Sequence, residues 1–227
     1  MILKSLRRVH HFFDRAVNRL FPLDISQVLL LNLCDATEPK RELSGCTFRF
    51  LSSQEVASFS SNEAADLGSE MHTVVDERNR CYAALKEGCL LGYAWIATGN
   101  IAPEHNSAGH RFAGIGMDLA ADNSYLFKCF VLPEHRGQGI NHHLLWRLSE
   151  LLKNEGHCKI VTITSWTNFA FQASSKRTGF ERIGHAAEWV VFGKSYFHWS
   201  DVTSHGVRHY QPSAADQKLE HSSALSS

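Results

Sequence analysis

The sequence predicts an α+β domain, because hairpin signals and a strand–helix–strand pattern occur together in one chain of 227 residues. The apolar segments at residues 81–85 and 89–97 flank Lys86-Glu87-Gly88, a short connection that is typical of an antiparallel hairpin. Residues 125–164 contain a strand, a glycine turn, a helix and a strand, which predicts a parallel, right-handed unit. We therefore expect one domain whose sheet contains both kinds of strand pair.

The N-terminal residues 2–21 carry apolar side chains at three- and four-residue spacing, which predicts an amphipathic helix that stops at Pro22. The basic side chains of this helix are opposed only by Asp14. In one interpretation, the apolar face packs on the domain and the charges are solvated, as in most amphipathic helices of globular domains. In the other, the helix contacts an anionic membrane surface or a protein partner.

The elements that follow this helix are predicted from shorter patterns. Residues 25–33 indicate a strand outside the core of the domain, and residues 35–45 form a polar connector. Residues 47–51 alternate between apolar and polar side chains, which predicts the first core strand. Ser53 then precedes an apolar run and indicates the start of a helix.

The second half of the chain adds a long connection and two closing strands. Residues 98–122 are rich in Gly and Ala, and a connection of this length is expected to cover a bound substrate. Residues 181–185 and 187–197 predict two strands that close the domain. From Ser204 onward the chain is polar, and we expect a disordered tail.

Composition excludes several classes of function. Lys and Arg together number 23, and so do Asp and Glu, so no net charge attracts nucleic acid. The six cysteines show no Cys-x-x-Cys spacing, and neither a metal site nor a disulfide framework is expected. No apolar run has the length of a membrane span and no signal-peptide pattern begins the chain, so we expect a cytoplasmic protein.

The segment from Cys129 to Asn141 carries the strongest chemical signal. An apolar strand ends at Pro133, and Arg136-Gly137-Gln138-Gly139 then opens a helix with a leucine face. A helix start offers unpaired backbone N–H groups at the positive end of the helix dipole. Glycines let the backbone approach phosphate oxygens closely, so this turn predicts a site for a phosphate-bearing ligand.

A second motif follows at a fixed separation. Residues 159–164 are rich in β-branched side chains and predict a strand. Asn168 then opens a short helix, and this helix ends at Gly179-Phe180. These two motifs, in this order, resemble the GNAT superfamily of acyl-CoA-dependent acyltransferases. Arg136 and Gly139 stand at the positions that the family's pyrophosphate loop requires, whereas Asn141 stands where the family usually has Gly or Ala.

The resemblance implies a fold as well as a ligand. It spans roughly residues 47 to 198, and its specific motifs lie between residues 125 and 180. The implied fold is a mixed, mostly antiparallel sheet of six to seven strands with helices on both faces (an α/β/α arrangement). The sheet splays between its fourth and fifth core strands, here residues 125–132 and 159–164. We accordingly predict an N-terminal appendage at 1–45, an acyltransferase domain at 46–200 and a polar tail at 201–227.

The resemblance also implies how acetyl-CoA, the cosubstrate, is held without a metal. Backbone N–H groups of residues 137–141 would bind the pyrophosphate, and Arg136 would add positive charge. The strand edge around Cys129 to Val131 would bind the pantetheine amides, and an N–H near Val131 would polarise the thioester carbonyl. The implied cofactor-binding residues are Cys129, Phe130, Val131, Arg136, Gly137, Gln138, Gly139, Ile140, Asn141 and Asn168.

The residues for proton transfer are less clear from the sequence. Many family members place a Tyr seven residues after the Asn as the acid for the thiolate, and this chain has Ser175 there. Glu188 and Asp118 are the leading candidates for the base, with His185 and His72 also available. Tyr93 and Trp95 share one face of their strand, where core packing is favoured over lining an acceptor pocket.

The predicted function is direct transfer of an acetyl group from acetyl-CoA to a primary amine of a small molecule or peptide. One alternative is a non-catalytic acyl-CoA-binding or regulatory module, for which the missing Tyr and Asn141 are the arguments. A second is aminoacyl transfer from charged tRNA, against which the balanced charge argues. No feature of the sequence distinguishes among amine acceptors.

Overall fold

The computed structural model describes residues 23–60, 75–101, 116–191 and 194–210. The predicted amphipathic helix at residues 2–21 lies outside these ranges. The strands are β1 (Leu23–Asn32), β2 (Cys46–Phe50), β3 (Asn79–Lys86), β4 (Cys89–Thr98), β5 (Asn100–Ile101), β6 (Gly116–Leu119), β7 (Asn123–Val131), β8 (Lys159–Ser165), β9 (Glu181–Val191), β10 (Lys194–Trp199) and β11 (Val207–Tyr210). The α-helices of the described ranges are α1 (Ser53–Ser60), α2 (Ile140–Asn154) and α3 (Phe169–Thr178).

Eight of these strands form a mixed sheet in the order β10-β9-β1-β8-β7-β4-β3-β2. Every neighbouring pair in it is antiparallel except β7 and β8, which are parallel as predicted. The predicted hairpin is β3–β4, and both residues of its turn, Glu87 and Gly88, have positive φ (51° and 80°). Such a pair of angles matches the twist of the flanking strands, so a glycine here fits the hairpin. The remaining strands, β11, β6 and β5, form a small second sheet.

The position of β1 differs from the prediction, which placed this strand outside the core of the domain. β1 lies inside the sheet and pairs antiparallel with β8 on one side and β9 on the other. Its apolar side chains are buried on both faces; Val28 and Leu31 each have 0% exposure. A continuous apolar run of this kind is typical of a strand covered on both sides. The main sheet therefore has eight strands instead of six or seven.

Helices cover both faces of the main sheet, as predicted. The helices α2 and α3 cover what we call the first face, where the leucine face of α2 packs against β1 residues such as Leu29 and Leu31. Side chains of α1 pack on the second face, beside Trp95 of β4. The small sheet packs on the same second face, further along the main sheet. Within the described ranges no helix is both long and apolar enough to span a bilayer.

The C-terminal part of the sheet corrects two further predictions. The first closing strand does not end at His185 but continues through Ala186, which is 2% exposed and pairs with both β1 and β10. The polar segment after Ser204 contains β11, whose Val207 is fully buried and which pairs with β6. The connection at residues 98–122 likewise contains β5 and β6, while residues 102–115 lie outside the described ranges. The division at residues 45 and 200 stays a prediction.

Candidate functional site

The pairing between β7 and β8 covers only one end of the two strands. Three residue pairs are in register, from Asn123 with Lys159 to Tyr125 with Val161. Both strands continue beyond this ladder, where a side-chain bond from Thr162 Oγ1 to the Leu126 carbonyl, 2.7 Å long, connects them. No described strand pairs with β7 beyond Tyr125 on this side. A sheet that splays between β7 and β8 must lose its backbone pairing along part of these strands, as observed here. The splay itself stays a prediction.

The direction of the backbone groups on this edge follows from the pairing with β4. The Leu132 N–H donates to the Leu91 carbonyl at 3.0 Å, so residue 132 faces β4. Backbone groups alternate along a strand, and the N–H groups of Val131 and Cys129 therefore point away from β4. The register between β4 and β7 shifts by one residue at Phe127, a bulge of the kind often found beside active sites. The edge predicted to receive the pantetheine amides is thus oriented to do so.

The glycine turn presents five consecutive backbone N–H groups. Gly137 and Gly139 adopt φ of 80° and 84°, a region that favours glycine. Within the described part of the chain, the N–H groups of residues 137–141 make no hydrogen bond, and no side chain caps α2. The first bonds of the helix are those from His142 and His143 to the Gly139 carbonyl. Unpaired donors at the positive end of a 15-residue helix fit a pyrophosphate.

Arg136 lies against the end of β7 in this structure. Its Nε donates to the Val131 carbonyl at 3.0 Å, and its guanidinium carbon is 5.2 Å from the centre of the Phe130 ring. The Phe130 ring also contacts Tyr93, with ring centres 5.8 Å apart, so this side chain belongs to the packing of the second face. The Phe130 backbone faces β4 by the same alternation that turns Val131 and Cys129 away from it, so neither part of Phe130 lies on the open edge, and its role in cofactor binding stays a prediction. The contact of Arg136 with pyrophosphate stays a prediction.

The second motif forms the helix that the sequence predicts. Asn168 caps α3, and its side-chain oxygen accepts a bond from the Phe171 N–H at 3.2 Å. Gly179 ends the helix at φ 110°, and a Cβ at this position would lie 2.8 Å from the Asp35 carbonyl oxygen. Glycine is therefore required twice over, by its backbone angle and by the close approach of the chain after β1. The contact of Asn168 with the pantetheine arm stays a prediction.

Asn141 directs its side chain away from the glycine turn. Its Oδ1 accepts a bond from the Cys129 thiol at 2.7 Å, and its Nδ2 donates to Ser174 Oγ at 2.6 Å. Burial raises the pKa of Cys129 to about 12, so the thiol stays protonated and acts as a donor. A protonated thiol is a poor nucleophile, which supports a packing role for Cys129. Only the backbone N–H of Asn141 remains for a phosphate.

The structure does not bring the three catalytic candidates together. Ser175 is 1% exposed and its hydroxyl donates to the Gln172 carbonyl at 3.1 Å, so it is used inside α3. Asp118 is exposed and accepts a bond from Asn100, whereas its neighbour Met117 is fully buried against the main sheet. Asp118 therefore points away from that sheet. The geometry does not favour either residue, and their roles stay predictions.

Among the described candidates for the base, Glu188 is the one that is buried. It lies on β9, is 7% exposed, and shares a face with the buried Ala186, while His185 is exposed on the opposite face. Because β1 lies between β8 and β9, Glu188 is two strands away from β8, about 10 Å at ordinary strand spacing. Tyr93 and Trp95 are both fully buried, which confirms packing as their role. His72 lies outside the described residues.

Gly92 is a site-supporting residue that the sequence analysis missed. It pairs with Val131, and a Cβ at this position would lie 2.7 Å from the Phe130 carbonyl oxygen. A glycine inside a strand often marks such an approach of another backbone, which was the available signal. Gly92 thus lets β4 hold the part of β7 that carries the edge.

A Gly92→Ala variant is expected to push this part of β7 outward, which costs about 1–3 kcal/mol of stability. It should also weaken acetyl-CoA binding, measured by calorimetry. The matched control is Gly184→Ala on β9, where a Cβ would lie 2.8 Å from the Ser200 Cβ, away from the glycine turn. Equal affinities in the two variants would contradict this role for Gly92.

These features define an α+β protein with a mixed sheet, one short parallel strand pair, an open strand edge and a glycine turn at the start of a helix. Residues 46–180, more than half of the chain, match the model of the acetyltransferase (GNAT) family. The chain belongs to that family. The family uses acetyl-CoA as its cosubstrate, and the residues of the site fit this molecule.

Two solved structures share the fold. A Drosophila protein is 19% identical, with a TM-score of 0.50, and the match covers 85% of this chain and 59% of that one. A conserved protein of unknown function from Staphylococcus epidermidis is 10% identical, also with a TM-score of 0.50, over 77% of this chain and 64% of that one. This chain thus spans less than two thirds of the length of either. A search of curated proteins found no match.

Proposed function

We propose that this protein transfers an acetyl group from acetyl-CoA directly to a primary amine of a small molecule or peptide. The observation that carries the proposal is the row of five N–H groups at residues 137–141, which bond to nothing in the described part of the chain and follow the open edge of β7. One feature binds phosphate and the other binds an extended amide chain, and acetyl-CoA contains both. Membership of the family supports the general activity.

The residues of the site divide the work of the reaction. Acetyl-CoA supplies an activated acyl group as its thioester. The N–H groups of residues 137–141 would hold the pyrophosphate, and those of Cys129 and Val131 would hold the arm and the thioester oxygen. The amine nitrogen then forms a bond to the carbonyl carbon, the bond from that carbon to sulfur breaks, and the thiolate takes up a proton. With Ser175 buried, water is the proton source for the thiolate in this proposal.

Glu188 is proposed to accept the proton of the amine, through water because of its distance from β8. A Glu188→Gln variant should lower kcat about 100-fold or more, the usual contribution of a general base, and should leave the KM for acetyl-CoA unchanged. The matched control is Glu181→Gln, an exposed carboxyl at the start of the same strand. Equal kcat in the two variants would exclude Glu188 as the base.

The test of the function itself is acetyl-CoA-dependent release of free CoA with a panel of primary amines that includes amino acids, amino sugars, polyamines and peptides. Release that depends on an amine and that yields the acetylated amine would establish the transfer. Binding of acetyl-CoA without release for any amine would instead establish the non-catalytic module. Absence of binding would contradict both.

A further inference from the structure

Three segments that line the proposed cofactor site meet at one side chain. Asn141 is the second residue of α2, its Oδ1 accepts the bond from Cys129 on β7, and its Nδ2 donates to Ser174 on α3. Ser174 is 6% exposed, so this end of the link is shielded from water. A single amide therefore joins the strand edge, the glycine turn and the helix that Asn168 opens. We call this chain of contacts the Asn141 link.

The Asn141 link lies where backbone pairing no longer holds the sheet together. The ladder between β7 and β8 ends at Tyr125 and Val161, and the link begins four residues further along β7, at Cys129. Its other end is in α3, the helix that follows β8 in the chain. The link therefore connects the two sides of the opening. An amide suits this task because it holds an acceptor oxygen and a donor NH2 group at a fixed separation.

We propose that Asn141 is a positioning residue that sets the width of the cofactor cleft, an inference that rests on the proposed acetyl-CoA site. Its own backbone N–H is one of the five donors of the glycine turn, and Cys129 carries an N–H on the open edge of β7. Displacing the amide would move both sets of donors at once. At this position the resemblance leads one to expect Gly or Ala, neither of which has a side chain that could form the link.

The test compares acetyl-CoA binding in the native chain and four variants by calorimetry, beside thermal unfolding. The variants are Asn141→Ala, Ser174→Ala and the double variant, and Ser149→Ala is the matched control. Ser149 is a fully buried serine of α2 whose hydroxyl donates to the Trp146 carbonyl at 2.7 Å, outside the link. Ser174→Ala leaves both the glycine turn and β7 unaltered in sequence, so it tests the link even where Asn141→Ala folds poorly.

Ser174→Ala is expected to raise the Kd for acetyl-CoA about five- to tenfold, the effect of one hydrogen bond of ordinary strength. Asn141→Ala should raise it at least as much, because it also loses the bond from Cys129. The Kd of the double variant should not exceed the higher of the two Kd values of the single variants, because both substitutions break the same link. Ser149→Ala should lower the melting temperature and keep the native Kd. In turnover, Asn141→Ala and Ser174→Ala should raise the KM for acetyl-CoA more than they lower kcat.

Native affinity in both single variants would overturn the proposal, as would an equal loss of affinity in Ser149→Ala. Additive losses in the double variant would show that the two residues act separately and would also overturn it. These outcomes are distinct from failure of the proposed function, in which the native chain itself neither binds acetyl-CoA nor releases CoA.

Discussion

A Gly139→Ala variant is expected to lose acetyl-CoA affinity about tenfold or more, because charge-assisted bonds from the glycine turn each contribute about 1.5–3 kcal/mol. Gly139 has φ 84°, and its N–H belongs to the row of unbonded donors at the start of α2. Among the described residues, no atom lies within 4 Å of a Cβ built there, so the added methyl meets no steric clash with them. It would instead occupy the space through which phosphate oxygens approach the backbone. Calorimetry with acetyl-CoA measures the loss.

The same helix supplies a matched control at its other end. Gly156 follows α2 and has φ 92°, and a Cβ at this position would likewise have no protein atom within 4 Å. Gly156→Ala therefore carries a similar backbone cost, about 1–2 kcal/mol for a left-handed residue that is not glycine. The two variants should be destabilised alike in thermal unfolding, and only Gly139→Ala should lose affinity. Equal affinities would contradict a phosphate site at this turn.

A Leu148→Ala variant is expected to lower the free energy of unfolding by about 2–5 kcal/mol, the usual cost of a leucine truncated in a core. Leu148 is fully buried on α2, in the cluster that joins this helix to β1 and β8. For a chain of this size the melting temperature should fall by roughly 4–20 °C. Denaturant unfolding and a thermal scan both measure the effect.

Leu151 is the control for this prediction, since it lies on the same helix and is only partly buried. Leu151→Ala removes the same atoms from a site that water reaches, and less apolar area returns to solvent. Its effect should therefore be clearly smaller than that of Leu148→Ala. Comparable losses would contradict the deeper burial of Leu148 in this cluster.

The features that could be predicted from the sequence are those encoded by neighbouring residues. The positive φ of Gly139, the cap at Asn168 and the helix end at Gly179 each follow from local backbone chemistry. The hairpin at Glu87 and Gly88 belongs to the same class, and so does the parallel unit that surrounds the glycine turn. These features define the site, which explains why the family was recognisable.

The features that could not be predicted depend on residues far apart in the chain. The apolar run in β1 indicates a strand, but no local pattern names β8 and β9 as its partners. The spacing from Asn168 locates Ser175 on its helix without showing that the helix buries it. The partners of Asn141 lie on β7 and α3, and no local pattern around Asn141 names them.

The most direct test of the account is thermal unfolding of the native chain with and without acetyl-CoA, beside an Arg136→Glu variant. Ligand at about 100 times its Kd should stabilise the native chain by about 2.7 kcal/mol. The corresponding rise in melting temperature is roughly 5–10 °C for a chain of this size. The account predicts this rise in the native chain and its loss in the variant, where a carboxylate replaces the cation beside the glycine turn. A folded native chain whose melting temperature does not change with acetyl-CoA would contradict the central claim.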